Sequence, residues 1–267
     1  METILTLTHI SKTFGAEHHA PWGVGRKRSE DLQALADINL EIMAGEIFVF
    51  LGPSGSGKST LLRIMSGLER SYKGEVRWIA HMAPIDISFV FQQFALLPWL
   101  TVSQNVELGL HNRNVSFGER TRRVNNALKH LGLEKFSDAA PKDLSGGMRQ
   151  RVGIARALVT APKVIFMDEP FSELDSFTAQ ELRKEMLRIW AGPLEHVHGQ
   201  TQRERPTIVM VTHIIEEALE LADRIAVLTP QPGKIEKIVH NTLPRPRDKR
   251  SADFFRFEDD LYRLIKP

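Results

Sequence analysis

No cysteine occurs anywhere in the 267 residues. Disulfides and thiolate metal sites are therefore excluded, and the chain agrees with a reducing, cytoplasmic setting. Also missing is any apolar run near the roughly 18 residues that a membrane-spanning helix needs. The opening METILTL lacks the charged and apolar regions of a secretory leader. Charge of one sign is missing too: 35 Lys and Arg stand against 33 Asp and Glu, a net charge of +2. So near a balance supplies no whole-molecule attraction to nucleic acid or anionic lipid, and any membrane attachment is expected to pass through a protein partner. There is no internal repeat and no low-complexity tract.

What is present is an ordinary globular composition, 42% hydrophobic and 25% charged, in a chain long enough to bury a substantial core. The segments IFVFL, VIFMD, TIVMVT and RIAVLT are nearly continuous apolar runs, the pattern of strands buried on both faces, whereas INLEI at 38–42 alternates. Helical patterns lie between them at 58–68, 119–131, 147–158, 179–190 and 214–222. This alternation predicts an α/β sheet with helices on both sides. Residues 15–33 and 191–206 read as surface loops. From residue 244 the chain reads PRPRDKR and then DFFRFEDDLYRLI, which predicts a short basic linker and an amphipathic helix over 244–267.

GPSGSGKS at 52–59 fits the phosphate-loop pattern G-x-x-x-x-G-K-[ST], and it stands between a buried strand and a helix, where its mechanism requires it. Gly52, Gly55 and Gly57 allow a tight turn whose N–H groups point at phosphate oxygens, and the following helix N-terminus favours the same charge. The candidate nucleotide-binding set is Gly52, Pro53, Ser54, Gly55, Ser56, Gly57, Lys58, Ser59 and Thr60. Lys58 is expected to reach the β- and γ-phosphates of ATP, and Ser59 to ligate Mg2+. Such a loop alone leaves kinases, GTPases, helicases and transport ATPases open. VIFMDEP narrows the choice by placing Asp168 at the carboxyl end of a buried strand as a metal-holding carboxylate. Glu169 follows it as a candidate general base.

LSGGMRQR at 144–151, lying between those two motifs, resembles the signature of ATP-binding cassette (ABC) proteins. Ser145 suits a helix N-cap, and Gly146 and Gly147 put N–H groups at a helix start, which makes a second anion site. The resemblance, running from about residue 4 to 243, implies a P-loop NTPase of the ABC type: a mixed core sheet, a helical signature subdomain at about 93–160, and a C-terminal helical tail. By the same resemblance, Gln92 in FVFQQF looks like the Q-loop glutamine that senses metal and water. SELD at 172–175 looks like the D-loop, with Glu173 where the family usually has Ala, and His213 looks like the switch histidine. Ile214 follows where the family commonly has Asp.

Phe14 in SKTFG resembles the A-loop aromatic that stacks on adenine, but it is equally readable as a half-buried hydrophobe of the fold. The apolar group Leu96, Leu97, Pro98 and Trp99 reads either as a grip on a membrane partner or as packing within the helical subdomain. The catalytic set implied is Glu169, His213, Gln92 and Lys58, and the metal set Ser59, Gln92 and Asp168.

Residues 95–110, SGGMRQRVGIARAL and LPRPRDKR together look most like the ATPase subunits of bacterial importers for nitrate, sulfonates and taurine. That resemblance implies head-to-tail pairing of two such subunits, each ATP lying between one chain's P-loop and the other's 145–147. The pair would be a homodimer or heterodimer on the cytoplasmic face of the membrane, bound to an integral permease and served indirectly by a substrate-binding protein. No nucleic-acid partner is expected. A soluble cassette ATPase that remodels a nucleic-acid, ribosomal or cofactor-assembly complex is the competing class. His18, His19, His196 and His198 would make a zinc site only if their two loops met, and they read as solvated loop histidines.

Overall fold

The structure is a computed structural model that describes residues 2–15, 31–79, 82–111, 113–192 and 205–265. Most of the 15–33 and 191–206 loops, including all four loop histidines, lies outside the described residues.

Two sheets organise the described residues. The larger has six strands in the order β5 (Ile87–Val90), β6 (Val164–Asp168), β7 (Thr207–Thr212), β3 (Ile47–Leu51), β8 (Arg224–Leu228) and β9 (Ile235–His240). Its pairings are parallel except for β9, which runs antiparallel to β8. The sheet is therefore mixed. The smaller sheet is antiparallel, with β1 (Thr3–Phe14) between β2 (Leu32–Met43) and β4 (Lys73–Trp78).

The apolar runs explain why the large sheet sits between two layers. Successive side chains along a strand point to opposite faces. Ile47, Val49 and Leu51 accordingly join one core cluster, with Ile165, Met167, Ile208, Met210, Ile225 and Val227. Phe48 and Phe50 join the other, with Phe166, Val209, Val211 and Leu228. The second cluster is closed by α1 (Lys58–Met65) and the small sheet. The first is closed by α4 (Gly146–Leu158), α5 (Ser176–Ala191), α6 (Ile215–Leu221) and α7 (Ala252–Ile265). Full burial of side chains such as Phe48 and Phe50 stabilises the fold by roughly 1.5–3 kcal/mol each.

Between β5 and β6 the chain leaves the sheet to form α2 (Val102–Glu107), α3 (Phe117–His130) and α4, which pack on one another. Thr101 and Ser116 cap the first two of these helices through their side chains. Buried Asn105 ties down the preceding loop: Oδ1 accepts the Leu97 N–H at 2.8 Å, and Nδ2 donates to the carbonyls of Leu97, Leu100 and Thr101. The C-terminal segment is packed rather than free. Phe254 and Leu261 of α7 are buried, and Arg245 and Arg247 reach carbonyls at the end of α6. No described helix is long and apolar enough to cross a membrane.

Candidate active site and its relatives

The phosphate loop emerges where buried β3 ends, because a strand buried on both faces fixes the direction of the chain that leaves it. Gly55 and Gly57 both take positive φ. At Gly57 the absence of a side chain is doubly required, since a Cβ there would lie 2.7 Å from the Ala34 carbonyl oxygen and from Leu35. Lys58 turns back over the loop and donates to the carbonyls of Gly52 (2.9 Å) and Pro53 (2.8 Å), with Ser56 Oγ at 3.4 Å. Burial pulls its ammonium below the usual lysine range, and the charges of Glu169 and Asp168 oppose that shift.

The carboxylates arrive from β6. Asp168, nearly buried at the end of the strand, accepts the Ser59 hydroxyl at 2.6 Å and has the Arg63 guanidinium 3.8 Å away. Glu169 follows at a positive φ of 42°, its N–H held by the Val211 carbonyl at 3.1 Å. His213, just past β7, brings Nδ1 to 3.0 Å from Glu169 Oε2. Gln92 stands one residue further out, its Nε2 3.4 Å from Ser172 Oγ, which in turn donates to the Glu169 carbonyl. Of the adjoining pair, Gln92 is half-buried and Gln93 is exposed, and the side chain of Gln92 meets Ser172 rather than Ser59 or the Asp168 carboxylate.

A cavity of about 310 Å³ is lined by Ser54, Gly55, Gly57, Lys58, Ser59, Thr60 and Glu169 together with Phe14, Leu32, Ala34 and Gln231. The phosphate loop and Phe14 thus share one cleft. Phe14 is 39% exposed, with the Lys12 ammonium 4.7 Å from its ring centroid. Gln231 escaped the sequence reading because its place depends on Gly233, which exchanges backbone bonds with Ala34 and Ala36 beside the phosphate loop. A Cβ on Gly233 would fall 2.1 Å from the Ser56 carbonyl oxygen.

The oxygen donors suit Mg2+. Ser59 Oγ and Asp168 Oδ1 are hard ligands already in contact, and a magnesium ion needs only one or two protein groups when phosphates and water complete its octahedron. Among the described residues no cluster of three or more His, Cys, Asp or Glu could hold a metal by itself.

Ser145, Gly146 and Gly147 do not line this cavity. Ser145 caps α4 by accepting the Met148 N–H at 3.3 Å. Gly147 has a packing role that its motif does not disclose: a Cβ would lie 2.4 Å from Thr178 Cγ2. The segment after Gln92 is clamped to α4, with Arg156 donating to the carbonyls of Phe94 and Ala95 and Arg149 lying over the Phe94 ring.

This combination of phosphate loop, strand-end carboxylates and a second glycine-bearing helix start defines a P-loop ATPase. Residues 35–172 match the sequence profile described as ABC transporter, and the chain belongs to that family. It is similar to the nitrate import ATP-binding protein NrtD of Synechocystis, 39% identical over 98% of this chain and 95% of the relative. To the aliphatic sulfonates import ATP-binding protein SsuB of Bacillus cereus it is 38% identical, over 85% and 86%. The ATP-binding cassette MJ0796, solved as a dimer in a post-hydrolysis state with ADP and Pi, superimposes with a TM-score of 0.69 at 33% identity. That match covers 89% of this chain and 99% of the other. The chain is an ATP hydrolase that binds ATP with Mg2+.

Proposed function

We propose that the chain is the motor subunit of a membrane importer for a small anionic solute of the nitrate, sulfonate or taurine kind. It works as a dimer held at the cytoplasmic face by an integral permease. The curated relatives named for nitrate and sulfonate import, matched over nearly the full chain, support the solute class.

The observation that carries the permease partner is Trp99. It is 75% exposed, yet its loop is pinned by four hydrogen bonds to buried Asn105. A large exposed aromatic on a pre-organised loop is the kind of residue that anchors an interface. The strand that leads into Gln92 contributes Ile87 and Phe89 to an apolar recess of about 300 Å³, with Leu68, Trp78 and Met82.

In hydrolysis, Lys58 and the loop N–H groups orient the phosphates; Ser59 and Asp168 would hold Mg2+, which would supply charge to offset that developing on the phosphates. Glu169 takes a proton from the attacking water, and His213 holds the Glu169 carboxylate in place. Gln92 would add a ligand to the metal, and through the segment clamped to α4 it couples the cleft to the loop bearing Trp99. Ser145, Gly146 and Gly147 present α4 to the γ-phosphate bound by the partner subunit.

Purification of the tagged chain from native membranes tests the reading. An integral membrane protein should be retained and should be lost from Trp99→Asp, while the variant still binds ATP. ATPase activity stimulated by nucleic acid, with no membrane protein retained, contradicts it.

A further inference from the structure

Only His213 and Ile214 separate β7 from α6, so the position of the imidazole depends on how that short turn is held. One hydroxyl spans it. Thr212 Oγ1 accepts the Ile214 N–H at 3.1 Å and donates to Glu217 Oε2 at 2.7 Å, with both side chains buried. Glu217 is fixed in turn: Arg183 Nη1 on α5 lies 3.3 Å from its other oxygen. Arg183 also bonds Glu220 Oε2 at 2.7 Å and approaches Glu216 Oε1 at 3.6 Å. Lys249, from the C-terminal segment, completes the cluster at 2.5 Å from Glu216 and 2.9 Å from Glu220.

The same segment secures the far end of α6. Arg247 donates to the carbonyls of Leu219 (2.9 Å) and Glu220 (3.0 Å), and Arg245 to that of Leu221 (2.5 Å). These carbonyls have no helical partner of their own, and cations are favoured at that end of a helix. A packed apolar cluster would close this space without the desolvation that buried carboxylates incur. What charged, directional bonds add is a single geometry for the turn.

We propose that Thr212 is a positioning residue for the switch histidine: its hydroxyl, locked through Glu217, Arg183 and Glu220 to Lys249 of the C-terminal segment, holds His213 against Glu169. The inference rests on the reading of Glu169 and His213 as the hydrolytic pair. It extends that reading by tying the basic tail, some 35 residues downstream, to the geometry of the catalytic turn.

Substituting Thr212 separates positioning from packing, because the two roles rank the variants in opposite order. Val keeps the buried volume and loses the hydroxyl; Ser keeps the hydroxyl and loses a methyl group. The full chain should show kcat reduced on the order of tenfold in Thr212→Val, with KM for ATP within about twofold, and most of kcat retained in Thr212→Ser. Added to His213→Ala, Thr212→Val should cost little more, since both act through one group. Wild-type kcat in Thr212→Val, a greater loss in Thr212→Ser, or additive losses in the double variant overturns the proposal. Should Thr212→Val fail to fold, Thr212→Ser alone decides, with retained kcat supporting the hydroxyl and lost kcat supporting packing. Undiminished kcat in His213→Ala would overturn the hydrolytic pair itself and the proposal with it. Failure of the Thr212 series alone leaves that pair standing.

Discussion

His213 Nδ1 lies 3.0 Å from Glu169 Oε2, although 44 residues separate them in sequence. They meet because β6 and β7 are parallel neighbours whose carboxyl ends share one rim. The backbone strain at Glu169, φ 42°, is held by its bond to Val211.

Replacing that carboxylate by an amide keeps the shape and removes the base. Glu169→Gln should lower kcat by about 10²- to 10⁴-fold and leave ATP binding intact. Size-exclusion chromatography with ATP should then show a stable ATP-bound dimer. Near-normal turnover would remove Glu169 from the role of base.

Phe14 shares the cleft with the phosphate loop, as stacking on a nucleobase requires. Phe14→Ala should weaken ATP binding by about 1–3 kcal/mol and affect tripolyphosphate much less. Equal losses for both ligands in calorimetric titrations would assign the ring to the fold instead.

Glu46 is buried 3.1 Å from Arg224, and burial, outweighing that guanidinium, raises its carboxyl pKa above the usual value. A group whose folded pKa is raised favours the folded state fully below its unfolded pKa and loses that contribution as pH rises through the folded value. In Glu46→Gln this loss cannot occur. The melting temperature of the variant relative to wild type should therefore climb as pH rises from 4.5 through the raised value of Glu46. A difference that is flat or falls over that window contradicts the assignment.

Much of this was legible in the chain because the four central strands are buried on both faces and therefore read as unbroken apolar runs. The polar edge strands were not: KGEVRW in β4 and IEKIVH in β9 are half-exposed, and β5 has only four residues. β1 hides its alternation behind register shifts and a positive φ at His9. At the site, Lys58, Ser59, Asp168 and Glu169 announce themselves because their chemistry requires fixed spacing. Gln231 and Thr212 follow no such rule: Gln231 is placed by Gly233 meeting β2, and the role of Thr212 at the end of β7 shows only in the bonds its hydroxyl makes to Ile214 and Glu217. The basic segment from residue 244 reads in sequence only as a short linker. Only tertiary packing reveals that Arg245 and Arg247 are consumed at the end of α6.

Ser145, Gly146 and Gly147 lie outside the cleft formed by their own phosphate loop, as a nucleotide site shared between two chains requires. Ser145→Arg should block closure on the partner's ATP and leave its own loop able to bind. Lys58→Ala should weaken phosphate binding in its own chain. Mixing the two, separately tagged, creates heterodimers with one intact composite site. The direct measurement is vanadate trapping of a photo-crosslinked nucleotide in those mixtures. Labelling confined to the Ser145→Arg chain of the heterodimer is the predicted result, and efficient trapping in Ser145→Arg homodimers would contradict the shared site.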